Sequence, residues 1–258
     1  MTPGPAMGDQ TRFIILAGPR TGSTYLVDYL DAAPGTRCLS ELFQDDRIDF
    51  RTHQPADPRL RDVAFRDADP VAFLDLLAQE AAACERFGFK MIGNHIASRG
   101  PDFLRQICVS RAWKKIYLWR DDLFEQSASF LLAHQHFGGE IWGRTPDQRR
   151  IAIAPRDMVA CLHMVQTLYF LIESALAAAQ REDVFALEYG ELGRPSVMAD
   201  LLRFLGLPPA AVDLLLERRA SDPKLRFDPG PRLAERVVNY DELLSAFRNS
   251  RYRRLIGQ

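Results

Sequence analysis

The fold is decided by the stretch Phe13-Ile14-Ile15-Leu16-Ala17-Gly18-Pro19-Arg20-Thr21-Gly22-Ser23-Thr24. Residues 13–18 form a short, continuous apolar run that stops at Gly18-Pro19, the pattern of a strand buried on both faces of a parallel sheet. Thr21, Ser23 and Thr24 are natural helix caps, and Tyr25, Leu26, Tyr29 and Leu30 recur at helical spacing until Pro34-Gly35 ends the run. The opening unit therefore reads strand, loop, helix.

Working outward, short apolar runs at 37–43, 87–92, 115–119 and 184–189 read as further strands. Helical spacing predicts helices at 70–84, 101–111, 122–135, 156–180 and 195–205, the last stopped by Gly206 in a left-handed conformation. Strands and helices alternate as in βαβ units, so the expected class is α/β with a mostly parallel central sheet flanked by helices. The expected organisation is one domain over 1–258. Within it, 1–12 is read as flexible, and 44–70, rich in Asp, Arg and Pro, as a lid or acceptor-facing loop with plain disorder as the alternative. Residues 221–258, ending in Arg251, Arg253 and Arg254, are read as a tail packed on the domain.

At 258 residues, 47% hydrophobic and 26% charged, the chain has the composition of an ordinary globular domain, which excludes disordered, collagenous and coiled-coil classes. Lys+Arg 33 against Asp+Glu 34 leaves a formal net charge of -1, so nucleic acid is not an expected partner and any anion site must be local. No apolar run is expected to span a bilayer, and residues 1–10 lack the basic start and apolar stretch of a signal peptide, so a cytoplasmic protein is expected. Cys38, Cys84, Cys108 and Cys161 are scattered without metal-ligand spacing and read as reduced residues rather than disulfide or zinc partners.

The loop at 18–24 suits a phosphate. Gly18 and Gly22 allow a tight turn, the helix start offers free N–H groups and partial positive charge, Arg20 adds a full charge, and Ser23 and Thr24 add hydroxyls. It is not a nucleotide triphosphatase loop, which needs one more residue between the glycines and a lysine where Ser23 stands. The plainer alternative is a helix with a Ser/Thr-rich cap. A second signal lies in 114–130. Arg120 would end a parallel strand on the edge where open α/β sheets bind ligands, and a serine of the next helix could join it around a second phosphate. The alternative there is an Arg120 paired with Asp121 or Asp122 on the surface.

Arg20-Thr21-Gly22-Ser23-Thr24 after a buried strand, then Leu118-Trp119-Arg120-Asp121 and a helix carrying Gln126-Ser127-Ala128-Ser129, resembles the two cofactor signatures of bacterial carbohydrate sulfotransferases of the Stf0 and nodulation-factor type. Ser40-Glu41-Leu42-Phe43, Gly88-Phe89-Lys90, Tyr189-Gly190-Glu191-Leu192 and the segment Leu202 to Pro208 follow in the family's order, with a weaker echo at Val238 to Leu243. Ser40 replaces the family's glycine before the glutamate. The eukaryotic cytosolic relatives carry a lysine in the first loop and a Gly-rich C-terminal motif, whereas this chain has Arg20 and only Asp228-Pro229-Gly230-Pro231-Arg232.

The resemblance implies a P-loop-type three-layer fold and a sulfotransferase that uses 3′-phosphoadenosine 5′-phosphosulfate, without a metal, on a sugar or glycolipid. It implies that Arg20, Thr21, Gly22, Ser23 and Thr24 hold the 5′-phosphosulfate, and that Arg120 with Ser129, or Ser127 as the fallback, holds the 3′-phosphate. Glu41 is the expected base and His95 the runner-up; Lys90, in an apolar strand, is either a strand-end charge or part of the site. A Glu41 merely paired with Arg37 or Arg47 is the plainer reading. His53 is read as a solvated loop residue, with contact to the acceptor as the alternative, His134, His136 and His163 as structural, and Tyr25, Tyr29, Phe124 and Phe130 as core. The apolar helix 156–180 leaves core and homodimer surface both open. The competing functions are a P-loop kinase for a small alcohol, which needs Mg²⁺ and usually a loop lysine, and a non-catalytic nucleotide- or glycan-binding relative.

Overall fold

The computed structural model describes residues 10–99, 101–137, 150–230 and 232–257. Five strands form one parallel sheet: β1 (Thr11–Ala17), β2 (Thr36–Glu41), β3 (Arg86–Ile92), β4 (Trp113–Trp119) and β5 (Val184–Glu188), in the spatial order β2-β3-β1-β4-β5. The α/β expectation and the five strand positions hold. Every residue from Phe13 to Ala17 is fully buried because both faces of β1 are covered. Ile14 and Leu16 pack into one core, Phe13, Ile15 and Ala17 into the other, which gives three layers.

The helices are α1 (Ser23–Asp31), α2 (Val63–Ala68), α3 (Pro70–Glu80), α4 (Gly93–Arg99), α5 (Pro101–Val109), α6 (Leu123–Phe137), α7 (Pro155–Leu176), α8 (Pro195–Phe204), α9 (Pro209–Ser221), α10 (Leu233–Arg236) and α11 (Tyr240–Arg248). Leu26 and Leu30 of α1, Leu201 of α8 and Val212 of α9 cover one face, while Phe73 of α3, Leu104 of α5 and Val165 of α7 cover the other. The stretch 44–70 carries a 3-10 turn (Pro58–Arg61) and α2. Helices α9, α10 and α11 were not read from the sequence, and Leu233, Leu243 and Phe247 of the last two seat the tail on Phe124 of α6 and Met158 of α7.

The expectation that no stretch is apolar enough to span a bilayer meets one exception among the described residues. Helix α7 has 22 residues and a mean hydropathy of 1.4 over its most apolar window. Its Met158, Leu162, Val165, Leu168 and Ile172 lie in the interior, so its apolar stripe packs as a core helix. Strand β1, flanked by β3 on one side and β4 on the other, marks the point where the strand order reverses, and the crevice beyond its C-terminal end is where such sheets receive ligands.

Candidate active site

The loop after β1 is built by close contact. A Cβ on Gly18 would come within 2.8 Å of Gln126 Nε2 and of the Tyr169 hydroxyl, so only glycine fits. Gln126 Nε2 donates to the Pro19 carbonyl at 2.6 Å, the Tyr169 hydroxyl donates to Gln126 Oε1 at 3.0 Å, and the Arg120 N–H donates to the Tyr169 oxygen at 3.0 Å. One buried chain of hydrogen bonds thus ties the loop to the end of β4. Arg20 (φ 60°) and Gly22 (φ 75°) both take the left-handed conformation, which for a non-glycine residue such as Arg20 is strained.

The helix cap differs from the sequence expectation. Gly22 is the N-cap of α1, and no side chain among the described residues caps the first turn. The Thr21 hydroxyl turns back to the Gly18 carbonyl at 2.9 Å, and Thr24 Oγ1 accepts from Lys90 Nζ at 3.1 Å. The first-turn N–H groups beside the cleft are therefore left without a side-chain acceptor, which is the state an anion needs.

Arg20 Nε donates to Ser129 Oγ at 3.1 Å, whereas Ser127, two residues earlier on α6, is fully buried with its hydroxyl beside the Cys161 thiol. Arg120 does not pair with Asp121 or Asp122. Asp121 accepts from the Trp119 indole and Asp122 caps α6 through the Glu125 N–H, while Arg120 stacks 4.4 Å above the Tyr189 ring and meets Glu125 Oε2 at 3.4 Å. The Tyr240 hydroxyl donates to the other oxygen of Glu125. The charges of Arg120 and of Arg236 in α10 both bear on Arg20.

A cleft of about 470 Å³ opens beside the loop. Arg20, Ser23 and Thr24 line one side, Glu41, Gln44, Lys90 and His95 another, and Phe130 and His134, stacked at 4.7 Å, a third. Glu41 reaches it through a bulge. Leu39 pairs with Phe89, but the register then slips so that Glu41, not Ser40, stands opposite Lys90. The two side chains meet at 2.9 Å, Gln44 Nε2 donates to Glu41 Oε2 at 2.8 Å, and His95 Nε2 lies 3.5 Å from that same oxygen. Burial alone would raise the Glu41 carboxyl. Lys90, His95 and Gln44 together outweigh it and hold the group below its ordinary value. Burial pushes His95 down to about 4, so its ring is neutral at pH 7. His95 Nδ1 has no hydrogen-bond partner among the described residues.

The structure thus brings Arg20, Ser23, Thr24, Glu41, Lys90 and His95 into one cleft, with Ser129 bonded to Arg20. Glu41 is not the surface partner of Arg37 or Arg47, and Lys90 is a buried partner of Glu41 rather than a strand-end charge. Gln44 was not read as a site residue, and its Oε1 in turn accepts from Arg47. His134, read as structural, lines the cleft. His53 pairs with Asp31 and His163 with Tyr252, away from it. The His136 side chain lies outside the described residues, as does 138–149. Cys38, Cys84, Cys108 and Cys161 are free thiols, and no cluster of His, Cys, Asp or Glu suited to a metal occurs among the described residues.

The model of the Stf0 sulphotransferase family matches residues 12–173. Among solved structures, a sulfotransferase from Alicyclobacillus acidocaldarius superposes with a TM-score of 0.52 at 17% identity, over 94% of this chain and 93% of that one. Sulfotransferase STF9 from Mycobacterium avium superposes with a TM-score of 0.50 at 15% identity, over 93% of this chain and 75% of that one. At such identities the likeness is one of fold. No curated protein matches the sequence.

Proposed function

The chain belongs to the Stf0 sulphotransferase family, and from that premise we propose that this sulfotransferase moves a sulfuryl group from 3′-phosphoadenosine 5′-phosphosulfate to a hydroxyl of a carbohydrate or glycolipid in the cytoplasm, without a metal. When bound, the donor supplies an activated sulfuryl group whose transfer is an in-line displacement at sulfur. The protein has then to hold two phosphates, offset charge on the leaving oxygen and take a proton from the acceptor.

Arg20, the uncapped first turn of α1 and the hydroxyls of Ser23 and Thr24 bind the 5′-phosphosulfate in this reading. The Thr21 hydroxyl is spent on Gly18, so Thr21 contributes through its backbone. Arg120 and Ser129 hold the 3′-phosphate, and Ser129 also steadies Arg20; buried Ser127 is the poorer fallback. Glu41 takes the acceptor proton, a role worth on the order of 10²–10⁴ in rate. Lys90, bonded to both Glu41 and Thr24, keeps the carboxylate ionised and brings positive charge beside the phosphate loop. His95, neutral at pH 7, is the second basic group within reach.

The observation that carries the reading is the single cleft that joins the uncapped α1 start and Arg20 to the Glu41–Lys90 pair. The test is calorimetric titration with 3′-phosphoadenosine 5′-phosphate in the absence of magnesium, with ATP in parallel and Arg20→Ala as control. Binding of the bisphosphate that is lost in Arg20→Ala is the expected result and opens a screen of sugar and glycolipid acceptors. No binding, or a preference for Mg·ATP, overturns the reading in favour of a kinase.

A further inference from the structure

The segment that follows Glu41 is closed by bonds of its own, the Asp49 N–H to the Glu41 carbonyl at 3.1 Å and Arg47 to Gln44 Oε1, and is also gripped from two other elements. Arg66 of α2, 0% exposed, donates from Nη1 to the carbonyls of Leu42 and Arg47, each at 2.9 Å, so one guanidinium grips both ends of the segment 42–47. Its Nε donates to Asp67 Oδ1 at 2.7 Å. The same carboxylate oxygen pairs with Arg99 of α4, and Arg99 Nη2 donates to the Gln44 carbonyl at 3.4 Å. A fully buried guanidinium carries a desolvation cost that an apolar side chain in the same space would avoid. What it provides here is a fixed frame for Gln44, whose amide holds Glu41 Oε2. Helix α4 also carries His95, so Arg99 sets both partners of that oxygen in one frame.

We propose that Arg66, Asp67 and Arg99 form a strut between α2 and α4 that positions Glu41 for proton removal by clamping the 42–47 segment. The proposal rests on the reading of Glu41 as the base. The strut residues are positioning residues, since none of them bonds to Glu41 directly. The groups that face Glu41 are Lys90 from β3, His95 from α4 and Gln44 from the segment, and Asp45 and Arg66 bear on His95.

The test uses the full chain with ¹³C-labelled glutamate carboxyls, the Glu41 resonance being assigned by its loss in Glu41→Gln. Arg99→Lys keeps the charge and removes the fork. Asp67→Asn removes a negative charge, which through space alone would lower the Glu41 midpoint, so a rise in the variant while it remains folded by its amide exchange outside 42–47 reports lost positioning. Arg59→Met, which deletes a guanidinium paired with Asp57 on an exposed turn of the same region, is the control. In both strut variants the Glu41 midpoint is expected to rise by about one pH unit as the Gln44 bond loosens, and amide exchange over 42–47 to speed about tenfold. The control is expected to do neither. A midpoint that stays with the control overturns the proposal, whether or not exchange accelerates, because the strut would then anchor the segment without governing Glu41. Failure of the wild-type protein to bind 3′-phosphoadenosine 5′-phosphate would instead overturn the sulfotransferase reading, and the carboxyl titration does not depend on it.

Discussion

Lys90 Nζ lies 2.9 Å from Glu41 Oε1 with the two side chains 1% and 7% exposed, a pairing that exists because the strand slips by one residue at Ser40. Without the slip Glu41 would stand beside Met91. A buried ion pair gains little over apolar packing, but breaking it by removing one partner strands a charge away from water.

Lys90→Met is therefore expected to cost about 3–5 kcal/mol of stability in urea unfolding at pH 7. Glu41→Gln should cost less, because an amide oxygen still accepts from the ammonium. In the double variant Glu41→Gln/Lys90→Met the loss should fall well short of the two single losses added together. Additive losses would show that the pair is not coupled.

His95 sets the acid limit of stability. Its folded value of about 4 lies below the 6.5 of an unperturbed imidazole, so between those two pH values the unfolded chain binds the extra proton and the folded chain does not. Stability from this group is fully present above about pH 6.5 and falls as the pH drops toward 4, by about 3 kcal/mol in total. Glu41, also held below its ordinary value, adds a loss in the same direction further toward acid. Urea unfolding of His95→Asn between pH 7 and pH 4.5 should show a flatter slope than wild type. An equal slope would mean that His95 titrates normally in the fold.

Two serines on α6 separate the phosphate contacts. Ser129→Ala removes the acceptor of the Arg20 Nε–H and should weaken binding of 3′-phosphoadenosine 5′-phosphate about fivefold, the equivalent of roughly 1 kcal/mol. Ser127→Ala removes a buried hydroxyl that bears on the Cys161 thiol and on nothing in the cleft among the described residues, so affinity should stay unchanged and stability should change little. Calorimetry on both variants decides the assignment, and the reverse pattern would move the 3′-phosphate contact to Ser127.

The sheet was legible because burial on both faces writes an unbroken apolar run, as in Phe13 to Ala17, and because turn residues bracket each run. Helices α9 to α11 were not, since Pro208-Pro209 and the Asp, Pro and Gly of 228–230 read as the end of regular structure although Leu233, Leu243 and Phe247 still find a core. At the site, residue types were legible and pairings were not. Thr21, Ser23 and Thr24 look like caps, yet the left-handed turn at Gly22 takes that place and sends the Thr21 hydroxyl back to Gly18. Lys90 in an apolar strand announces a buried charge, but its partner depends on a one-residue slip in another strand, which no local pattern records. Gln44 and Arg66 act on Glu41 only through contacts formed after the segment has folded back.

The tail reaches the cofactor side through Tyr240, whose hydroxyl donates to Glu125 Oε1 while Glu125 Oε2 stands 3.4 Å from Arg120. That separation is long for an ion pair, the Tyr240 bond occupies the other carboxylate oxygen, and Arg120 over the Tyr189 ring keeps donors unspent among the described residues. Removing the hydroxyl frees Glu125 to neutralise Arg120 and compete with a phosphate for it. Tyr240→Phe should therefore weaken 3′-phosphoadenosine 5′-phosphate about fivefold, roughly 1 kcal/mol. Glu125→Gln added to Tyr240→Phe removes the competing charge and should restore wild-type affinity. A Tyr240→Phe variant that binds as wild type, or a loss that persists in the double variant, would show that the tail has no hold on Arg120.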